Sequence, residues 1–401
     1  MDFKDLGPAY KLIFASARLR PTADDILLMD QSASLIHDWD YFTNQAVRSG
    51  LGPLVHKNLP LLKIYDVIPR EAKTKLQQIY YRSLTRNMMI YEHFRKAVKA
   101  FNEKGISVIA LKGVYLADTL YQDIGLRQMS DIDLLVRDED TESCCHILHG
   151  FGYRQSQNYF NSEIFRWLFT PKHIPQMVLN GVAFEIHSKI HASNRGYHIK
   201  INDLFRRSRP TVINSTHCLS LSADDLVLHL CIHLFEHLPQ PQFQLYRFCD
   251  IAEVLRNCGH ELDWTEIKRR CDLYRCTSQV FSILSLARIY FNAPVPIDIP
   301  DGSAIHGFQK AHRRFLDRLE QKHKYVIPQG LALTIHGLET SQGVKREMKI
   351  VFGLVFPGLA FMKARYGVKH SINALPFYLL RVNKGLQYLT KSIKNRIFSA
   401  R

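Results

Sequence analysis

The sequence predicts a small mixed α/β unit between helical regions. Two short runs rich in β-branched and aliphatic residues, 106–111 and 131–136, are typical of strands. The Asn180-Gly181 pair between apolar segments is the strongest short signal for a hairpin. Before and after this region, apolar residues recur at helical spacing, which predicts helices on both sides.

The elements follow one another in a simple order. Helices with short breaks open the chain, and one long helix then ends at Gly105, because glycine tolerates a positive φ. Each of the two strands is followed by a helix, the hairpin comes next, and the pattern after Ser222 is helical almost to the end. The predicted spans are 9–60 and 72–104 (helical), 106–111 (strand), 114–121 (helix), 131–136 (strand), 138–150 (helix), 175–179 and 182–190 (hairpin strands), and 294–300 (proline-rich linker).

The length of the chain predicts more than one domain. At 401 residues it exceeds the roughly 100–200 residues of an ordinary domain. We expect four parts: an N-terminal helical region (1–71), an α/β domain (72–215), a helical domain (216–342) and a basic C-terminal helical tail (343–401).

Composition and charge exclude several classes of protein. With 46% hydrophobic and 22% charged residues, the chain is neither disordered nor collagen-like nor a simple coiled coil. The net charge of +16 is concentrated in the tail, where Glu347 is the one acid, so the tail suits contact with RNA, an anionic membrane surface, or solvated charge on packed helices. We find no export signal, no span of about 20 apolar residues and no C-x-x-C, and expect a cytoplasmic protein, peripheral to the inner membrane face if the tail binds lipid.

Three acidic residues carry the chemistry. Asp131 and Asp133 lie two apart on a strand, so their carboxylates share a face roughly 6–7 Å apart, where they can share divalent cations. Glu185 and His187 share a face of the second hairpin strand, and Glu185 completes a carboxylate triad if that strand lies beside the first. The alternatives are a half-exposed edge strand with solvated acids and, for His187, a structural hydrogen bond in place of a phosphate or acceptor contact.

These residues stand in a pattern that resembles the DNA polymerase beta nucleotidyltransferase superfamily, and within it a bacterial family of uncharacterised nucleotidyltransferases. Two positions depart from the superfamily pattern: Lys112-Gly113 replaces the usual Gly-Ser, and Glu185 stands where Asp is more common. The matching segments are Leu111-Lys112-Gly113, Arg127 to Val136, Glu185-Ile186-His187, His229-Leu230-Cys231-Ile232-His233, Asp38-Trp39-Asp40 and Val355-Phe356-Pro357.

The resemblance implies a polymerase-beta-like core and a two-metal reaction. An acceptor hydroxyl or phosphate would attack the α-phosphate of ATP or another nucleoside triphosphate and release pyrophosphate, with Mg²⁺ or Mn²⁺ as cofactor. The acceptor is a sugar, a protein or an RNA, with polysaccharide biosynthesis as the first setting. The implied metal ligands and catalytic residues are Asp131, Asp133 and Glu185, the last as ligand or base; the implied nucleotide-binding residues are Lys112, Gly113, Arg127, Ser130 and His187.

Two rival functions use the same residues. One is transfer of AMP or another nucleotide onto protein or tRNA, as in toxin-type relatives. The other is a nucleotide-binding scaffold without turnover, against which the intact Asp131, Asp133 and Lys112 argue.

Outside these motifs, three groups of side chains have two interpretations each. Histidines at helical spacing bind a metal or pack in the wall of the cleft. An arginine and an aspartate complete that wall or form a buried ion pair, and two tyrosines stack on a base or fill the core. The histidines are His229, His233 and His237. The arginine and aspartate are Arg247 and Asp250, and the tyrosines are Tyr115 and Tyr121.

Overall fold

A computed structural model of the protein describes residues 3–155, 176–191, 196–238, 245–296, 305, 307–319 and 378. Residues 1–154, 176–190 and 197–326 belong to one compact unit, and 155–175, 191–196 and 327–401 to a second. The tail of 343–401 therefore lies outside the described residues, apart from Tyr378. No helix of the described part is long and apolar enough to cross a membrane.

The described residues form thirteen α-helices and a seven-stranded mixed sheet, as the mixed α/β prediction required. A π-helical turn, Leu116–Leu120, continues α6. The helices are α1 (Pro8–Ser16), α2 (Ala23–Ala33), α3 (Trp39–Arg48), α4 (Gly52–Asn58), α5 (Arg70–Glu103), α6 (Lys112–Tyr115), α7 (Thr141–Gly150), α8 (Ile201–Arg207), α9 (Ala223–His237), α10 (Tyr246–Cys258), α11 (Trp264–Tyr274), α12 (Thr277–Phe291) and α13 (Phe308–Leu319).

The sheet has the strand order β3-β4-β5-β2-β1-β7-β6. Strand β2 pairs in parallel with β5 and antiparallel with β1, and β1 pairs in parallel with β7. The two outer hairpins, β4–β5 and β6–β7, are antiparallel. The strands are β1 (Ile109–Ala110), β2 (Asp131–Leu135), β3 (Arg154–Gln155), β4 (Met177–Leu179), β5 (Val182–His187), β6 (Arg209–Ile213) and β7 (Thr216–Ser220).

Several predicted elements are confirmed. The long helix is α5, and Gly105 follows it with φ +72°, the left-handed conformation for which glycine is suited. The Asn180-Gly181 hairpin joins β4 to β5, with φ values of +49° and +74°. Positive φ at both central residues defines a type I′ turn, whose twist matches that of the strands.

The sequence prediction missed the β6–β7 hairpin. Its turn residues, Asn214 and Ser215, have φ values of +44° and +59°, so they adopt left-handed conformations without the glycine that marks such turns. The boundary expected between residues 215 and 216 falls directly after this turn, and β7 pairs with β1 in the same sheet. The division of the chain into four parts otherwise remains a prediction.

The first strand is shorter than predicted. Of the segment 106–111, β1 keeps Ile109 and Ala110. The chain leaves the sheet at Lys112, which has a φ of +43° and begins α6. The Leu111 amide still donates to the Asp133 carbonyl at 3.0 Å, so the turn stays fixed to β2.

Helix α5 holds the loop that precedes β2. The Asn87 side chain is fully buried and donates to the carbonyls of Ile124 and Arg127, the latter at 2.7 Å. The hydroxyl of Tyr80 donates to Asp123 at 3.1 Å. A buried amide that satisfies backbone carbonyls removes a desolvation penalty of about 1–3 kcal/mol for each group left unpaired. The loop is therefore fixed by side chains of one rigid helix.

The same helix also reaches the turn after β1 and the hairpin. Tyr91, which is fully buried, donates through its hydroxyl to the Val114 carbonyl of α6 at 2.8 Å. Arg86 donates to the carbonyls of Ser130 and Gly181 at 3.0 and 2.8 Å. Because α5 contacts α6, the start of β2 and the hairpin turn, it sets the relative positions of three segments that carry the predicted site residues.

The hairpin turn gives a testable prediction of stability. Gly181→Ala places a Cβ on a residue with φ +74° and should lower the free energy of unfolding by about 1–2 kcal/mol, measured by urea denaturation. Gly150→Ala is the matched control, because Gly150 ends α7 and no atom lies within 4 Å of its ideal Cβ position. Equal stability of the two variants would contradict the type I′ assignment.

Candidate functional site

The acidic residues lie together on the neighbouring parallel strands β2 and β5. The register places Asp131 opposite Ala183, Asp133 opposite Glu185 and Leu135 opposite His187. Side chains two residues apart share a face of a strand, so the carboxylates and the imidazole share one face of the sheet. The predicted position of Glu185 beside the Asp-x-Asp strand is confirmed.

Asp133 is the centre of this group. Its Oδ1 accepts a hydrogen bond from Lys112 Nζ at 2.7 Å and one from His187 Nε2 at 2.8 Å. Both Asp133 and His187 are buried, and His187 Nε2 lies 3.5 Å from Glu185 Oε2. Because Asp133 Oδ1 acts as the acceptor, the Nε2 atom of His187 carries the hydrogen. The imidazole thus orients two carboxylates.

The group has the composition of a cation site. One potential ligand atom from each of Asp133, Glu185 and His187 lies within 4.8 Å of the others. Across the part of the chain that the structure describes, this is the one cluster of three or more such residues. The His229 stripe belongs to no such cluster there, so the packing interpretation of those histidines is favoured.

Burial and mutual repulsion give the two strand aspartates opposite electrostatics. Burial, with the charges of Asp133 and Glu185, raises the pKa of Asp131 to about 6, although Lys112 and a hydrogen bond from Ser130 act against this shift. Burial also opposes ionisation of Asp133, but Lys112 and His187 outweigh it and hold the pKa of Asp133 well below its usual range. Asp133 is therefore the member of the group that is held in its charged form, and Asp131 the one whose charge is less fully compensated.

The Lys112-Gly113 turn approaches the acids from the end of β1. Lys112 is buried and has φ +43°, a conformation that costs a residue with a side chain about 1–3 kcal/mol. Its ammonium contact with Asp133 offsets that cost. An ideal Cβ on Gly113 would lie 3.1 Å from Arg127 Nη1 and 3.2 Å from Met129 Sδ. The close packing of these two side chains therefore favours glycine here, besides any approach of a phosphate.

The structure places Arg127 differently from the prediction that it holds phosphate. Its Nε and Nη2 donate to the two carboxylate oxygens of Asp250 at 2.9 and 2.7 Å, and both side chains are buried. Burial opposes the charge of Arg127, but Asp250 outweighs it and raises the pKa of the guanidinium. Asp250 is thus part of a buried ion pair, but its partner is Arg127 and not Arg247, with which the pair was expected.

The other predicted partner, Arg247, contacts a histidine. Its Nη1 lies 2.6 Å from His233 Nε2. Because a guanidinium only donates, His233 Nε2 must accept and the imidazole is neutral in this arrangement. The rings of His233 and His237 are tilted by 46° at a centroid distance of 4.2 Å, which also fits packing within the helix face.

Tyr115 and Tyr121 line a cavity of about 350 Å³ whose wall also includes Arg20 and Lys57. None of the predicted acids is part of this wall. Tyr121 is buried and donates to Asp250 Oδ1 at 2.9 Å. The core interpretation of Tyr121 is thus favoured over stacking on a base.

One residue of the site was missed in the sequence. Gln176 Nε2 donates to Glu185 Oε1 at 2.6 Å. Residues pair outward from the Asn180-Gly181 turn as Leu179 with Val182 and Met177 with Phe184, so the next pair in that count is Gln176 with Glu185. The hairpin signal therefore contained the information needed to find it.

Comparisons with known proteins identify the family. The family model described as "Uncharacterised nucleotidyltransferase" matches residues 37–292, more than half of the chain. The protein belongs to this family, and is thus a member of a nucleotidyltransferase family of enzymes. No protein of curated function matches it. The solution structure of the antibiotic-resistance factor ANT(2'')-Ia is similar to part of it, with 11% identity, a TM-score of 0.33, and coverage of 48% of this chain and 92% of the other.

The raised pKa of Asp131 predicts that this carboxylate destabilises the fold. Its folded-state pKa of about 6 exceeds the unfolded value of about 3.9, so ionisation costs stability that is lost as the pH rises between these values. In EDTA at pH 8, Asp131→Asn should raise the free energy of unfolding by about 2 kcal/mol. Below pH 4 the difference should vanish, because both forms are then neutral; a gain that is independent of pH in urea denaturation would contradict this origin.

Proposed function

We propose that the protein transfers a nucleoside monophosphate from a nucleoside triphosphate to an acceptor hydroxyl or phosphate and releases pyrophosphate. The observation that carries this proposal is the placement of Asp131, Asp133 and Glu185 on one face of two parallel strands, beside the Lys112-Gly113 turn. Asp133 and Glu185 lie close enough to share a cation, in a cluster with His187 that does not include Asp131. Membership of a nucleotidyltransferase family supports it.

The chemistry of the acids fits Mg²⁺ or Mn²⁺. Hard divalent cations prefer carboxylate oxygens and complete their shell with water and substrate phosphate oxygens. Burial, and then repulsion from Asp133 and Glu185, raise the pKa of Asp131 although Lys112 opposes the shift, as expected of a site whose negative charge is not fully offset. Asp131, Asp133 and Glu185 would hold the cation, which when bound supplies charge neutralisation at the reacting phosphate.

The residues of the chain itself would bind and orient the substrates. Lys112 provides a positive charge for a triphosphate oxygen, and the turn at Gly113 and the exposed Ser130 border the same acids. His187 keeps Asp133 and Glu185 in place through Nε2. Phosphoryl transfer depends mainly on positioning and electrostatic stabilisation, so such a fixed arrangement is what the reaction requires.

Glu185 has two roles in this proposal. Gln176 fixes its Oε1, and its Oε2 points to the His187 side of the group. As a ligand it would complete the carboxylate set; as a base it would accept the proton of the acceptor hydroxyl. A sugar, a protein or an RNA fits this chemistry, and polysaccharide biosynthesis is the first setting that we propose to test.

The proposal is tested by following the label of each of the four α-³²P nucleoside triphosphates in the presence of Mg²⁺ and cell extract. We expect the label on a new product with the wild type and at least a 100-fold loss with Asp133→Asn, because removing one metal carboxylate removes a large share of the charge stabilisation. Asp138→Asn is the matched control, since Asp138 is an exposed acid just beyond β2.

The identity of the labelled product decides between the rival functions. A labelled polysaccharide precursor supports the first setting, and a labelled protein or tRNA supports transfer of the toxin type. Binding of triphosphate without any labelled product identifies a scaffold. Full activity of Asp133→Asn would rule out the proposed role of the acids.

The basic tail has a separate proposed role in binding anionic surfaces. Changing Lys391, Lys394 and Arg396 to Glu should leave triphosphate affinity unchanged and weaken salt-sensitive association with RNA or anionic vesicles. Pelleting with vesicles and filter binding with RNA measure this, at two salt concentrations. A loss of triphosphate binding by the folded variant would show instead that the tail serves the catalytic site.

A further inference from the structure

We infer that Arg127 and Asp250 act as a positioning pair, which holds the Lys112-Gly113 turn in the conformation that binds nucleotide and does not itself contact phosphate. This inference deepens the proposed function and rests on it for the nucleotide. It assigns a role in the site to a residue of α10, Asp250, which lies in the predicted helical domain.

The guanidinium of Arg127 is already occupied by Asp250. Two of its nitrogens are bonded to both oxygens of Asp250, with 6% and 2% side-chain exposure for the two residues. Tyr121 donates to the same carboxylate, and the Tyr246 ring lies 5.2 Å from the guanidinium carbon. A bidentate pair in such surroundings fixes the arginine, because breaking a buried pair costs several times more than an exposed one.

Arg127 also lies against the Lys112-Gly113 turn. The remaining nitrogen, Nη1, lies 3.1 Å from the ideal Cβ position of Gly113, the residue next to Lys112. Arg127 therefore forms part of the surface against which the turn rests. Lys112 is held at φ +43°, a conformation that needs support from its surroundings. A shift of Arg127 would therefore also move the ammonium group of Lys112.

The Arg127–Asp250 pair is not needed to hold the loop that precedes β2. Asn87 fixes the Arg127 carbonyl and the Ile124 carbonyl of that loop. These bonds come from α5 and do not involve Asp250. Loss of the pair should thus loosen the turn more than it disturbs the fold, which makes the inference testable by substitution.

The first experiment is hydrogen–deuterium exchange of the nucleotide-free full chain. Arg127→Lys keeps the positive charge but loses the bidentate hydrogen bonding of the guanidinium, and Asp250→Asn keeps the shape of the side chain but loses its negative charge. Both should raise exchange in peptides that cover residues 111–116, whereas peptides of α12 should be unchanged. Unchanged exchange at 111–116 in the folded variants would overturn the inference, whatever the variants' affinity for nucleotide.

The second experiment measures binding of fluorescent ATP and GTP analogues with Mg²⁺. If Arg127 held phosphate, Asp250→Asn would release it, and affinity would stay the same or rise. As a positioning pair, Arg127→Lys and Asp250→Asn should each weaken binding about tenfold, and the double variant should lie within about threefold of the weaker single variant. Additive losses, or tighter binding by Asp250→Asn, would contradict the inference.

Two further variants control for stability. Arg256→Lys alters another ion pair of α10, with Glu253, and should leave nucleotide affinity within about twofold while lowering the melting temperature. Tyr121→Phe removes a single hydrogen bond to Asp250 and serves if the other variants do not fold; it should weaken binding about two- to threefold. Equal losses of affinity in Arg256→Lys and Asp250→Asn would show a structural effect only.

The two hypotheses fail in different ways. If the wild type binds neither analogue, nor the CTP and UTP analogues, the proposed function fails, while the exchange experiment still decides whether the pair positions the turn. If the wild type binds and the variants bind equally well, the positioning role fails and the proposed function stands.

Discussion

The concentration of negative charge on one face of β2 and β5 is the constraint on which the rest of the site depends. Parallel pairing places Glu185 directly beside Asp133, and the chain cannot separate them without breaking the sheet. Lys112 and His187 compensate Asp133 from two directions. Asp131 has less compensation, and its raised pKa records the difference. A face of this kind suits a further cation, which is the role proposed for its acids.

Helix α5 explains how such a site is kept rigid. Most of the chain that borders the acids is loop or turn, which on its own would be mobile. The buried side chains of Asn87 and Tyr91 and the partly exposed side chain of Arg86, all on α5, donate to backbone carbonyls of these segments. The long helix thus replaces the hydrogen bonds that strands would otherwise provide, and catalysis by positioning becomes feasible on irregular backbone.

Local patterns in the sequence predicted the acids and failed for their more distant partners. Period-two alternation and the Asn180-Gly181 turn were sufficient to place Glu185 beside Asp133, and counting from the same turn also finds Gln176. Arg127 and Asp250 are 123 residues apart in sequence, so no periodicity connects them, and the motif alone suggested phosphate. The β6–β7 hairpin was missed because its Asn214-Ser215 turn lacks glycine and β6 begins with an exposed arginine and a proline.

The two-residue length of β1 has a consequence for the order in which the protein forms. Ile109 pairs with Leu135 on one side and with Leu219 on the other. One edge of β1 therefore pairs with a strand that lies about 110 residues further along the chain. During synthesis, the acid-bearing strands and the long helix emerge first, and the open edge of β1 is covered only after residue 220 has left the ribosome. Closure of the sheet across so large a loop carries an entropic cost that local hairpins avoid. The segments that form the charged face are therefore synthesised before the strand that closes the sheet at β1.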